Sequence, residues 1–256
     1  METFNINRFW CTLRWYVLEN KNTFFKWFCG VGLAVMAIGT FFMFMLNDHP
    51  NDPGAEKIIM GEMVGFSITL LFFSTIIVNS LVFTCITRKQ RRTAFLMLPA
   101  TNMEKYTSAC IYAAVLCPLC LILAYLVGDI LRMLVFAAIG QGWHSAVKEW
   151  WEMGGRDMRE NLDLVLGMIW LGSTYILGAT LLRKAPFVIV SAVHLLLVFL
   201  FAYIITKFFR HSGHISINIP YYAKTVGFLL LTVVNYCVGY WLFKRFQLIT
   251  SKWTNL

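Results

Sequence analysis

Six stretches of this chain are too long and too apolar to be stable in water. A helix crossing a hydrocarbon core of ~30 Å needs about 20 predominantly apolar residues. The segments 27–46, 63–86, 106–127, 163–182, 186–206 and 225–243 meet that condition. Their apolar residues run continuously and do not alternate every second position, which argues against a membrane β-barrel. Lipid offers the backbone no hydrogen-bonding partner, so each run must close its own bonds as a helix. The expected fold class is an all-α, polytopic membrane protein with six transmembrane helices. Composition agrees, with 59% apolar and 14% charged residues, against roughly 45–50% and 25% in soluble domains. Such a balance excludes disorder, a disulfide-rich secreted scaffold and a large soluble catalytic domain.

Loop charge sets the expected orientation. The N-terminal stretch, the 2–3 loop, the 4–5 loop and the C-terminal tail together carry 14 Lys/Arg and 3 Asp/Glu; the other three loops carry 8 and 10. The positive-inside rule places both termini in the cytoplasm. The net charge of +9 is therefore a topology signal, and no nucleic-acid partner is expected. Residues 1–26 read as a cytoplasmic interfacial amphipathic helix, with Ile6, Phe9, Trp10, Leu13, Tyr16 and Val17 on one face. Residues 244–256 form a cytoplasmic tail. Residues 128–162 make a long external loop whose first part, 130–139, either extends helix 3 or lies on the membrane. Trp143, Trp150 and Trp151 read as interfacial anchors.

Chemistry is sparse. Cys117 and Cys120 have C-x-x-C spacing, but they lie mid-span without a second pair or a nearby His, so they read as buried structural cysteines. Pro118 between them is expected to kink helix 3. No phosphate-cradling loop, H-E-x-x-H or G-x-S-x-G motif is present, so no catalysis, metal or cofactor is expected of this chain. Asp129 and Arg132, one turn apart, read as a local ion pair. Three polar residues, Asn79, His194 and Asn235, fall at similar depth, roughly 10–12 Å from the cytoplasmic face at ~1.5 Å per residue. Such a layer either marks a transport path or joins helices by hydrogen bonds.

The loop between helices 2 and 3, residues 87–105, is the most informative stretch. Arg88, Lys89, Arg91 and Arg92 form a basic cluster at the membrane surface, suited to anionic lipid. The apolar run Phe95-Leu96-Met97-Leu98 follows, stopped by Pro99. Thr101 and Glu104 then match a capping box that starts helix 3. An apolar corner among charges suits either docking of a partner or contact with headgroups.

The N-terminal helix, the six spans and the stretch FLMLPATNMEK (residues 95–105) resemble the membrane-spanning permease subunits of ABC-type export systems, in particular a bacterial, Bacteroidetes-like class. The motif resembles the L-P-x-(S/T)-x-x-E-K corner of that class. The resemblance implies a non-catalytic permease in the bacterial cytoplasmic membrane, paired with a second copy or a paralogue. It also implies a separately encoded ABC ATPase that binds the 2–3 loop as a coupling element. On that basis Phe95, Leu96, Leu98 and Pro99 would form the docking corner, while Glu104 and Lys105 would fix the returning helix. The short polar 5–6 loop and the long 3–4 loop depart from the family pattern. The alternative is an accessory or anchoring membrane protein with no path of its own.

Overall fold

The computed structural model of the chain describes residues 4–47, 53–83, 89–139, 145–148, 151, 158–212 and 221–245. Among these lie six helical segments long and apolar enough to cross a membrane. The helices are α1 (Ile6–Asn47), α2 (Pro53–Ser80), α3 (Lys89–Leu96), α4 (Asn102–Ile111), α5 (Cys117–Ala138), α6 (Met158–Leu181), α7 (Pro186–Ser212) and α8 (Tyr221–Phe243). A π-helical turn, Tyr112–Leu116, joins α4 to α5, and together they make the third span.

The N-terminal stretch differs from expectation. Residues 6–26 do not form a separate helix; they continue without a break into the first span. No Gly or Pro occurs between Ile6 and Cys29 to interrupt the ladder, and the Asn5 carboxamide oxygen caps its start by accepting the Asn7 N–H at 2.9 Å. At ~1.5 Å per residue this helix is about 63 Å long, twice a hydrocarbon core. Of the expected lipid-facing set, Phe9, Leu13 and Tyr16 are buried against protein, whereas Ile6 and Trp10 remain exposed. The amphipathic face therefore packs on the rest of the molecule.

Span 2 is shorter at its C-terminus than its hydropathy suggests. α2 ends at Ser80, and residues 81–83 form a turn. Ser80 donates its hydroxyl back to the Ile77 carbonyl at 2.6 Å, and the Tyr16 hydroxyl donates to the Val82 carbonyl at 3.1 Å. The Tyr16 bond satisfies a carbonyl that a continuing helix would use, whereas the Ile77 carbonyl also accepts the Leu81 N–H at 3.2 Å. Span 3 is longer than its hydropathy core, running from Asn102 to Ala138; the apolar residues 130–138 extend the helix. Pro118 has no N–H and its ring would crowd the preceding turn. The chain widens just before it: the Cys117 N–H donates five residues back to the Tyr112 carbonyl, the signature of a π-turn.

Two larger hydrophobic cores are stacked along the bundle, beside a small third cluster of Ile76, Tyr175 and Val190 among the described residues. One gathers Phe9, Leu13, Tyr16, Phe83, Phe95, Tyr106, Tyr112 and Phe243 at the end bearing the 2–3 corner. The other gathers Val31, Val35, Met60, Met63, Leu121, Tyr125 and Phe136 towards the opposite end. α1 and the third span run side by side through both. Their crossing is made by backbone: a Cβ on Gly32 would sit 3.3 Å from the Ala124 carbonyl oxygen, and one on Gly128 would strike the Gly32 carbonyl. Ala124-x-x-x-Gly128 is a small-xxx-small contact of the kind that lets membrane helices approach closely. α7 is the least packed span. Most of its surface from Leu195 to Ile204 is exposed.

Candidate functional site

The corner between spans 2 and 3 is built around one carboxylate. Thr101, in extended conformation, caps α4 and accepts the Glu104 N–H at 3.2 Å, while Glu104 Oε2 accepts the Thr101 N–H at 2.8 Å. The capping box is complete. The second oxygen, Oε1, reaches a different helix: it accepts the Asn5 N–H at 2.7 Å and faces the Arg8 guanidinium at 3.2 Å. Glu104 is fully buried, and a buried carboxylate is stable only with this number of donors. Lys105 is also buried. Its ammonium donates to the Leu96 carbonyl at 2.7 Å and lies 6.0 Å from the centre of the Phe95 ring, so it closes the C-terminus of α3, where cations are favoured. Together the two residues hold α1, α3 and α4 in one arrangement.

The apolar residues of the corner divide. Phe95 is fully buried, packed by Trp15, Tyr16 and Phe243 with ring centres 5.7, 5.8 and 6.1 Å away. It belongs to the core and is not offered for docking. On the short helix α3, Arg92 and Phe95 are one turn apart and both face inward. Leu96 and Leu98 are half-buried, and Leu98 packs against the corner-end core. The surface is made by Met97, 78% exposed, and Pro99. Met103 and Phe4 are exposed nearby and line a hollow of about 390 Å³ with Thr101, Asn102, Tyr240 and Lys244. Met97 belongs to the apolar run read from the sequence; the α8 residues do not, because only the fold brings the end of span 6 beneath the corner.

The basic cluster is not a uniform lipid-facing row. Arg91 pairs with Glu19 of α1 at 3.1 Å, and Arg92 is buried. Burial, then the neighbouring Arg183 guanidinium, pulls Arg92 below the usual arginine range. Arg88 and the Lys89 side chain lie outside the described residues, as do Trp143, Trp150 and the tail beyond residue 245.

Asn79, His194 and Asn235 all meet α6 within one turn. Asn79 packs its carboxamide against Gly172, where a Cβ would lie 2.7 Å from its nitrogen. Asn235 donates to the Ser173 hydroxyl at 2.9 Å. His194 places Nε2 3.2 Å from the Thr174 hydroxyl and Nδ1 2.8 Å from the Val190 carbonyl. A carbonyl only accepts, so Nδ1 carries the proton. The imidazole is stacked on Tyr175, 5.6 Å between centres. Residues 172, 173 and 174 point about 100° apart around a helix, so the three contacts surround α6 and do not face a common space.

At the opposite end, Arg132 and Asp129 form the expected ion pair, 2.6 Å apart, and both are 1% exposed. Asp129 also accepts from the Ser145 hydroxyl at 3.1 Å and the Ala146 N–H at 3.4 Å, which pins part of the 3–4 loop to span 3. The Arg132 stem lies against Gly39 of α1. Cys117 and Cys120 are buried free thiols, and no group of His, Cys, Asp and Glu among the described residues is placed to hold a metal.

The fold and these sites define a multi-pass, all-α membrane protein. Compared with protein-family models, curated proteins and solved structures, the chain gives no significant match.

Proposed function

We propose that this chain is the permease subunit of an ATP-driven ABC export system, non-catalytic itself and coupled to a separately encoded ATPase through the corner between spans 2 and 3. The observation that carries the reading is the mount of that corner. Met97 and Pro99 project from a turn whose two flanking helices are tied by Lys105, and Glu104 ties the same turn to the start of α1. A push on the corner would therefore be delivered directly to spans 1 and 3. In this reading Met97, Leu98 and Pro99 meet the ATPase, and Leu96 supports them. Both termini face the cytoplasm of a bacterial cell, and a second copy or a paralogue completes the transporter.

The second reading, an accessory or anchoring subunit, is favoured by the polar layer. Asn79, His194 and Asn235 are engaged around α6, an arrangement that suits helix association better than a lumen within one chain.

Mild-detergent affinity purification from native membranes, with mass-spectrometric identification of partners, separates the two. The permease reading expects a stoichiometric P-loop ATPase that is lost from Met97→Asp while the variant still inserts and keeps its melting temperature. A well-folded protein that brings down no ATPase would overturn it in favour of the accessory reading.

A further inference from the structure

The hollow beside the corner has walls of different chemistry. One wall is the turn itself, from Ala100 to Met103, which follows Met97 and Pro99 directly in the chain. The other is the end of α8, with Tyr240 and Lys244, and Phe4 just before α1 completes the lining. The volume of about 390 Å³ lies within the ~300–1,000 Å³ of clefts that seat a bound group. Met97, Met103 and Phe4 are 78%, 50% and 49% exposed. Single exposed apolar residues are ordinary on a protein surface, but these are gathered on one turn and the hollow next to it.

The charge there has one sign. Lys244 is the charged residue of the described lining. Its ammonium lies 4.6 Å from the centre of the Tyr240 ring, and the neighbouring Arg245 guanidinium lies 3.7 Å from that of Trp241. Both cations are exposed, and neither makes an ion pair among the described residues. The two described carboxylates of this end are engaged elsewhere. Glu104 is fully buried with Asn5, Thr101 and Arg8 on its oxygens, and Glu19 pairs with Arg91. A phospholipid separates its charge and its hydrocarbon into layers. Along this turn the groups alternate instead: apolar Met97 and Pro99, polar Thr101 and Asn102, apolar Met103, with the cation opposite. That mixture suits a protein surface that pairs a carboxylate with apolar side chains.

We propose that the hollow receives an acidic side chain of the partner ATPase, seated between α4 and α8 with its carboxylate on Lys244, while Met97 and Pro99 meet apolar residues beside it. On the permease reading, which this contact presupposes, the ATPase then grips the turn tied to spans 1 and 3 and the end of span 6 at once.

The test uses the full-length protein in native membranes, with a photo-reactive benzoylphenylalanine replacing Asn102, which is exposed and lines the hollow. Cross-links are expected on a P-loop ATPase, in a peptide that carries Asp or Glu next to apolar residues. Without the cross-linker, Lys244→Glu should cut the co-purified ATPase by about tenfold or more and Lys244→Gln by less, because a reversed charge repels where a neutral one only ceases to attract. Lys244 is exposed, so both variants should insert and keep their melting temperature. Added salt should release more ATPase from the wild type than from Lys244→Gln, since an exposed charge pair is screened. Retention of the ATPase by Lys244→Glu at the wild-type level would overturn the proposal. So would cross-links from residue 102 confined to phospholipid or to a second copy of this chain. In both cases the permease reading survives if the wild type still brings down an ATPase that Met97→Asp loses. A wild-type protein that brings down no ATPase overturns that reading and the acidic contact with it.

Discussion

Glu104 accepts the backbone N–H of Asn5 at 2.7 Å across 99 residues of sequence, with the oxygen that its own capping box leaves over. One carboxylate thus closes the N-termini of two helices, and the start of α1 cannot move without the corner. A helix N-terminus favours negative charge, and here two share a single anion.

Glu104→Gln should therefore destabilise the protein by about 1.5–3 kcal/mol, because the Asn5 N–H and the 38% exposed Arg8 lose a charged hydrogen-bonding partner. Thr101→Ala, which removes only the side-chain cap, should cost about 1 kcal/mol. Hydrogen exchange distinguishes these losses from a general loosening. In Glu104→Gln the amides of residues 5–12 should lose protection together with those of 101–105. Protection lost at the corner alone would mean that α1 is held by something else.

Asn235→Ala should cost about 0.6 kcal/mol, the mean for interhelical hydrogen bonds in a membrane bundle. In a double-mutant cycle, Ser173→Ala should add little on top of it, because the two share one bond. Full additivity, measured by chemical unfolding in mixed micelles, would show that the bond is not formed in the membrane.

The six spans were legible because lipid leaves the chain few options, and hydropathy alone counts them. The capping box at Thr101 and Glu104 was legible for a similar reason: it is local, and its partners are three residues apart. What sequence could not supply was the destination of the other carboxylate oxygen, or of Phe95. An apolar run in a loop reads as a surface knob until the fold shows that Trp15, Tyr16 and Phe243 wait for it. The N-terminal stretch is a similar case. Its amphipathic face was real, but periodicity does not say whether the apolar side meets lipid or protein. The polar layer was visible as a matter of depth, while its arrangement around α6 depends on helix rotations that depth leaves open.

The backbone crossing of α1 and span 3 makes a sharp contrast among glycines. Gly128→Leu should destabilise by about 1–3 kcal/mol or more through overpacking, since its Cβ meets the Gly32 backbone. Gly65→Ala in α2, with nothing within 4 Å of its Cβ position, should be neutral or stabilising by up to ~1 kcal/mol, as expected for a helix interior. Thermal melts of the two variants in the same detergent make the comparison. Equal effects would mean that the two helices do not cross at Gly32 and Gly128.

The Asp129–Arg132 pair should behave as a buried ion pair does when half of it is removed. Asp129→Asn takes the carboxylate from a guanidinium that is only 1% exposed, so a loss of about 3–5 kcal/mol is expected for breaking a buried pair. The same substitution takes away the charged acceptor that holds Ser145 and Ala146, so limited proteolysis should open the 3–4 loop near residue 145 before the bundle melts. The double variant Asp129→Leu/Arg132→Met removes both charges while keeping the branching and length of the side chains, and should recover most of the lost stability. The loop tether has no substitute in that variant, so the protease-sensitive site should persist. Recovery of both properties together would show that the loop is held by packing and that the carboxylate serves only its arginine.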